Sequence, residues 1–161
     1  MSALQTKSSK LLSLMTNVAK AKKSFSYPFY SRFSIVQDHP LLEDPSKQLL
    51  MKINVDKRFS NQHGTLHGGA ASTIADTATT VALSGFDTKN RTNSSVNLTL
   101  SYLAPALLGS DVYVLNDVVK VGRNLGFTEC RIYDEDMRLL VTGRHTKIFL
   151  DHNYNLEEGT W

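Results

Sequence analysis

One predicted helix, with predicted strands before and after it in the sequence, constrains this fold more than any other feature. Residues 61–83 open with a polar turn holding Gly64, Gly68 and Gly69 and continue as a helical pattern. Stretches 49–55, 95–102, 112–121, 125–133 and 139–150 alternate apolar with polar residues or are rich in β-branched residues, which predicts strands. One strand, one helix and four further strands predict an α+β fold, in which a mostly antiparallel sheet carries the helix on one face.

Shifts in composition divide the chain into four parts. Residues 1–37 carry six basic and no acidic residues, and residues 38–48 form a connector with two prolines. Residues 49–150 form the globular domain, and residues 151–161 are expected to be a frayed tail. Beyond residue 37 the chain has 12 basic and 15 acidic residues, a net charge of −3. A domain of that charge argues against nucleic-acid binding.

The first 37 residues are open to several interpretations. A basic, serine-rich, acid-free segment is typical of a mitochondrial presequence, so we expect a mitochondrial protein, with the cytoplasm as the alternative. Leu11, Leu14 and Met15 can share one helical face, so an ordinary N-terminal helix that packs on the domain and ends near Pro28 is equally compatible. Contact with a membrane surface is a third interpretation. No integral membrane span is expected, because no apolar run reaches about 18 residues.

The central helix has two unlike sides. Small and aliphatic residues share one side (Ala71, Ile74, Ala75, Ala78, Val81 and Ala82) and predict close packing on the sheet. The other side holds Ser72, Thr73, Asp76, Thr79 and Thr80, with no Lys, Arg or Glu. That composition favours a covered face, most simply covered by a symmetric partner. The alternative is an exposed face whose hydroxyls bond back to helix carbonyls.

The spacing of Gly68 and Asp76 also indicates a dimer. They are eight residues apart, which is roughly 12 Å along a helix. A backbone N–H at the helix start and a carboxylate two turns later cannot both reach one carbonyl carbon. If both serve one reaction, they come from different chains.

At these positions the chain resembles the hotdog-fold acyl-CoA thioesterases of the phenylacetyl-CoA thioesterase-like family. The resemblance covers about residues 48–150 and rests on Asn61, Gly64, His67–Gly69, Asp76, Ser95, Tyr102, Pro105 and Gly143–Lys147. Asn97 departs from the pattern, since many relatives carry an aspartate there. The resemblance implies a long helix wrapped by an antiparallel sheet, an acyl-CoA substrate, and a homodimer that assembles into a homotetramer with active sites at subunit interfaces.

Thioester hydrolysis needs an oxyanion site and a group that activates water. We expect the Gly68 N–H to bind the oxyanion, with Asn61 and His67 as further polar contacts. Asp76 acts as general base, or attacks directly as nucleophile, and Ser95 holds the water or orients the carboxylate. The candidates for binding coenzyme A are Gly69, Arg123, Asn124, Arg144, His145 and Lys147.

Two other functions remain open at this point. One is a hotdog dehydratase or hydratase, although the proline-rich entry to the helix is missing here. The other is a non-catalytic acyl-CoA-binding module. The single cysteine, Cys130, excludes an internal disulfide, and the sequence implies neither a metal nor a redox cofactor.

Overall fold

A computed structural model describes the backbone of residues 3–160 and the side chains of residues 6–160. Its helices are α1 (Ala3–Ala21), α2 (Tyr27–Tyr30) and α3 (Gly68–Phe86), and a short 3₁₀ turn covers Lys57–Phe59. Its strands are β1 (Ser34–Val36), β2 (Gln48–Asn54), β3 (Arg91–Tyr102), β4 (Asp111–Val121), β5 (Leu125–Tyr133) and β6 (Leu139–Asn153). The predicted α+β class is confirmed.

The six strands form one antiparallel sheet in the order β1-β2-β4-β5-β6-β3. Its inner face packs on α3, whose Ile74, Ala78 and Val81 are fully buried. Because the facing helix residues are small, the sheet can approach α3 closely. This arrangement is the hotdog fold that the family resemblance implies. Strand β3 is an edge strand and lies beside β6, which positions Ser95 next to Lys147.

The N-terminal segment belongs to the same core. In α1, Leu11, Leu14 and Met15 are buried, as the shared helical face predicts. The sequence analysis missed β1, which adds a sixth strand through the pairing of Ile35 with Met51. Three residues of an edge strand carry too little alternation to be recognised without their partner. Whether the segment also acts in targeting stays a prediction.

The C-terminal segment differs from the expected frayed tail. Strand β6 continues to Asn153, and the next residue, Tyr154, is buried and donates its hydroxyl to the Ser84 carbonyl at 2.7 Å. The sequence analysis missed this contact, because a single buried tyrosine in a polar stretch produces no periodic signal. Residues 151–154 therefore tie the end of the sheet to the end of α3.

The polar side of α3 is covered in part by the chain itself. Thr79 and Thr80 are buried without any partner subunit, which corrects the expectation that a symmetric copy covers this whole side. Ser72, Thr73 and Asp76 remain half-exposed. The hydroxyls of Ser72 and Thr73 donate to the carbonyls four residues earlier, as the alternative interpretation predicts. The stretch that a partner could still cover is the first half of the helix.

Candidate active site

The start of α3 presents an open backbone donor. His67 is the N-cap residue, in an extended conformation, and its Nδ1 accepts the Gly69 N–H at 2.9 Å. Gly68 is exposed, and its N–H donates to no acceptor among the described residues. Because the positive end of the helix dipole adds to this free donor, the site favours a developing negative charge. His67 therefore shapes the turn, while Gly68 supplies the free amide.

Asn61 holds the turn that leads into this helix. Its side-chain oxygen accepts the N–H of His63 at 2.9 Å and of Thr65 at 3.2 Å, and its amide donates to Thr65 Oγ1 at 2.9 Å. Within one chain its polar atoms are thus engaged in closing the turn. The predicted contact between Asn61 and a substrate carbonyl stays a prediction.

Tyr102 is a site residue to which the sequence analysis gave no role. From the end of β3 its hydroxyl donates to the Gly68 carbonyl at 3.2 Å and lies 2.7 Å from Ser72 Oγ. The alternation of β3 placed Tyr102 on the sheet, but its contact with the helix start depends on how β3 lies against α3. The Tyr102 hydroxyl thus joins β3 to the peptide between Gly68 and Gly69, directly after the free Gly68 N–H.

An apolar cavity of about 390 Å³ opens beside this amide. It lies between the start of α3, the segment after β3 and the inner faces of β5 and β6. Its walls include Leu66, Ala71, Ala104, Ile132 and Leu140. A cavity of this size and lining suits an apolar group attached to the carbonyl that Gly68 would bind.

Asp76 lies two turns further along α3 and has three basic or hydroxyl neighbours. Its Oδ1 accepts hydrogen bonds from Ser95 Oγ and Lys147 Nζ, both at 3.1 Å. His145 Nε2 lies 3.0 Å from Ser95 Oγ and 3.7 Å from the same carboxylate oxygen. The side chain of Asp76 is 44% exposed, whereas those of Lys147 and His145 are 3% and 0% exposed. The described residues provide no donor to Oδ2, so this oxygen stays open.

Burial determines the charge state of the two basic neighbours. Desolvation, reinforced by the charge of Lys147, lowers the pKa of His145 to about 4 despite the opposing effect of Asp76. Desolvation also lowers the pKa of Lys147, and the Asp76 carboxylate opposes that shift. His145 is therefore neutral near pH 7, because its pKa lies well below that value.

Contacts at both ring nitrogens hold His145 in place. Its Nε2 lies 3.0 Å from Ser95 Oγ, which also accepts from Lys147 Nζ at 3.1 Å. Its Nδ1 lies 2.7 Å from Thr79 Oγ1, and the Thr79 hydroxyl donates to the Ala75 carbonyl, also at 2.7 Å. Thr79, which the sequence analysis counted only as part of the polar helix face, thus orients the imidazole.

The coenzyme A candidates are spread over the chain. His145 and Lys147 point inward to Asp76, whereas Arg144 is exposed on the opposite face of β6, where it pairs with Glu129. Arg123 and Asn124 lie in an exposed turn that contacts Arg91, near the C-terminal end of α3. One chain does not bring these residues together, and a role for any of them in binding coenzyme A stays a prediction.

The two predicted catalytic groups also remain apart within one chain. One cluster lies at the helix start and consists of Gly68, Tyr102 and Asn61. The other lies two turns along α3 and consists of Asp76, Ser95 and Lys147.

The described residues contain no group of three or more His, Cys, Asp or Glu side chains placed to hold a metal ion. None of the described helices combines the length and hydropathy needed to cross a membrane.

Comparison with known proteins assigns the family. Residues 63–141 match the thioesterase superfamily. Human acyl-coenzyme A thioesterase 13 is 33% identical over 101 residues, which cover 62% of this chain and 71% of the human protein. The chain belongs to the thioesterase superfamily and is a thioester hydrolase of the hotdog fold.

Solved structures agree with this assignment. The crystal structure of zebrafish thioesterase superfamily member 2 has 26% sequence identity and a TM-score of 0.67, with coverage of 77% of this chain and 86% of the zebrafish chain. That of thioesterase superfamily member 2 from Mus musculus has 23% identity and a TM-score of 0.72, with coverage of 92% and 98%. The second likeness extends over most of the N-terminal segment as well as the hotdog domain.

Proposed function

We propose that this protein hydrolyses acyl-CoA thioesters at sites that two copies of the chain share. The observation that carries the proposal is the Asp76 carboxylate, which has one oxygen held by Ser95 and Lys147 and the other open at a half-exposed position. The name of the human relative, acyl-coenzyme A thioesterase 13, supports an acyl-CoA substrate.

The reaction uses these groups in order. Asp76 Oδ2 takes a proton from a water molecule, whose oxygen attacks the thioester carbon. The carbonyl oxygen becomes an oxyanion, which the Gly68 N–H stabilises. The carbon–sulfur bond then breaks, and the proton held by Asp76 passes to the thiolate, so the products are the free acid and coenzyme A. Direct attack by Asp76 on the carbonyl is the competing route.

Oxygen isotopes separate these two routes. A single turnover in water labelled with ¹⁸O leaves no label on Asp76 if water attacks the thioester directly. If Asp76 is the nucleophile, an anhydride forms, and water that attacks its aspartyl carbonyl leaves the label in the Asp76 carboxylate. We expect an unlabelled Asp76, measured by mass spectrometry of the peptide that contains it.

A two-fold axis beside Ser72 would complete the site. If the α3 helices of two copies run antiparallel about that axis, Gly68 of one protomer faces Asp76 of its partner, since each lies four residues from Ser72. The free edge of β3 supports such an association, because Val96 is 58% exposed on a long strand with no neighbour on that side. Pairing of such dimers into a homotetramer stays a prediction.

The test is thiol release from a panel of acyl-CoA esters with short, medium, long and arylacetyl groups. We expect Asp76→Asn to lower kcat by about 10²- to 10⁴-fold, the contribution typical of a general base. The matched control is Asp151→Asn, the same change at an exposed position. Unchanged hydrolysis in Asp76→Asn would contradict the proposal, and loss of water from a 3-hydroxyacyl-CoA without thiol release would indicate a dehydratase.

A further inference from the structure

The turn after α1 exposes three lysines and a phenylalanine together. We name Lys20, Lys22, Lys23 and Phe25 the basic corner. All four are exposed, and Phe25, at 78%, is the most exposed large hydrophobic side chain among the described residues. The basic corner thus presents an apolar ring and three positive charges on one small surface.

The basic corner is an ordered part of the fold. The turn is closed by backbone hydrogen bonds from Lys22 to Val18 at 3.0 Å and from Ser24 to Ala19 at 2.8 Å. The Phe25 ring lies 5.8 Å from the ring of Phe29, which is buried and stacks on Phe59 at 4.5 Å. Phe25 is therefore the outer member of a column of rings that reaches into the core, and this contact holds it outward.

The charge of the corner is not neutralised. None of its lysines forms an ion pair with a described residue, whereas Lys52 and Lys147 each pair with an aspartate. No acidic residue occurs before Asp38. Lys20 in the last turn of α1 complements the helix dipole, but Lys22 and Lys23 follow the end of the helix and Phe25 has no part in that effect.

A shallow groove of about 220 Å³ continues the corner. Met15, Val18 and Ala19 form its apolar floor, and Lys22 stands on its rim with Tyr30 at the other side. The groove thus extends the apolar part of the basic corner along α1.

We infer that the basic corner docks the protein on an anionic lipid bilayer. Lysines attract the negative surface of such a membrane, and an exposed aromatic ring enters the boundary between headgroups and acyl chains. A soluble polyanion would satisfy the lysines but would leave Phe25 in water. The inference does not depend on the proposed reaction, since it concerns where the protein resides and not what it hydrolyses.

The test is co-sedimentation of the full chain with vesicles. We expect binding to phosphatidylcholine vesicles that contain about 30 mol% phosphatidylglycerol, weak binding to pure phosphatidylcholine, and loss of binding as salt is raised from about 0.05 to 0.5 M. The triple variant Lys20→Gln, Lys22→Gln, Lys23→Gln should bind about 100-fold more weakly, from about fivefold per lysine near the surface. Phe25→Ser should weaken vesicle binding several-fold without changing heparin binding.

The matched control is a variant that loses three positive charges at other exposed positions. Lys57, Lys89 and Lys120 are exposed, and none pairs with a described acidic residue. Their triple replacement by Gln should weaken binding far less than replacement of the corner lysines, while circular dichroism and thermal melting confirm that both variants fold. Equal losses in the two triple variants, no binding of the wild-type protein, or heparin binding with no effect of Phe25→Ser on vesicles would each overturn the inference.

Discussion

At the residue scale, the buried side chain of Lys147 contacts the half-exposed carboxylate of Asp76. Its ammonium group donates to both Asp76 and Ser95 and so fixes the direction of each. Removing one member of a buried ion pair destabilises a protein mainly because the other charge is left buried and unpaired. Asp76 is half-exposed, so water can solvate its carboxylate when the ammonium group is absent. A loss of activity on removing Lys147 would therefore report on positioning and charge.

We predict that Lys147→Met lowers kcat/KM by about 10- to 100-fold, since the carboxylate loses a charge-assisted hydrogen bond. The measurement is kcat/KM for thiol release at neutral pH, with Lys120→Gln, at an exposed position, as the control. An unchanged kcat/KM in Lys147→Met would show that the ammonium group does not act on Asp76.

His145 predicts a pH dependence of stability. Its pKa is lowered from 6.5 to about 4 by burial, so between these values the unfolded chain binds a proton that the folded chain does not. The free energy of unfolding therefore has its full value above pH 6.5 and decreases as the pH falls toward 4. Urea titrations should show this decrease in the wild type and a flatter dependence in His145→Gln. Equal slopes in both proteins would contradict a buried neutral imidazole.

At the scale of elements, α1 is part of the folded domain. Leu11 is fully buried in the shared core, although it belongs to the segment whose composition resembles a presequence. We predict that Leu11→Ala lowers the free energy of unfolding by about 2–5 kcal/mol, the usual cost of emptying a packed leucine site. The control is Ser13→Ala, an exposed position on the same helix. If both variants unfold like the wild type, α1 does not contribute to the stable core.

The elements also show how much of the fold and of the candidate site the sequence predicts. The strands from Gln48 onward and the central helix follow from periodicity, because each buries a regular face. The family resemblance also singled out Asp76, Ser95 and Gly68, whose catalytic roles stay predictions, and Ser95 does contact Asp76. The sequence could not place Lys147 against Asp76, because that contact depends on the register of β3 on β6 and a bulge beside Ser95. Tyr102 and Thr79 acquire their roles in the same way, through contacts between elements.

At the scale of the whole molecule, the proposed active site falls into two separate groups within a single chain. The amide of Gly68 and the carboxylate of Asp76 lie two helical turns apart, and the first half of α3 and the edge of β3 are open. A proline at position 68 removes the N–H alone. His67 already has the extended conformation (φ −66°, ψ 135°) that precedes a proline, and the first residue of a helix tolerates one. Gly68→Ala keeps the N–H and brings Cβ only to ordinary contact with Tyr102, at 3.8 Å, so it is the matched control.

The most direct test mixes two inactive variants, Gly68→Pro and Asp76→Asn, by refolding them together. If each site takes its amide from one chain and its carboxylate from the other, every mixed dimer regains one intact site. An equal mixture should then recover about one quarter of the wild-type activity, because half of the dimers are mixed. If one chain supplies both groups, no combination contains an intact site, and a mixture as inactive as its components would contradict the shared site.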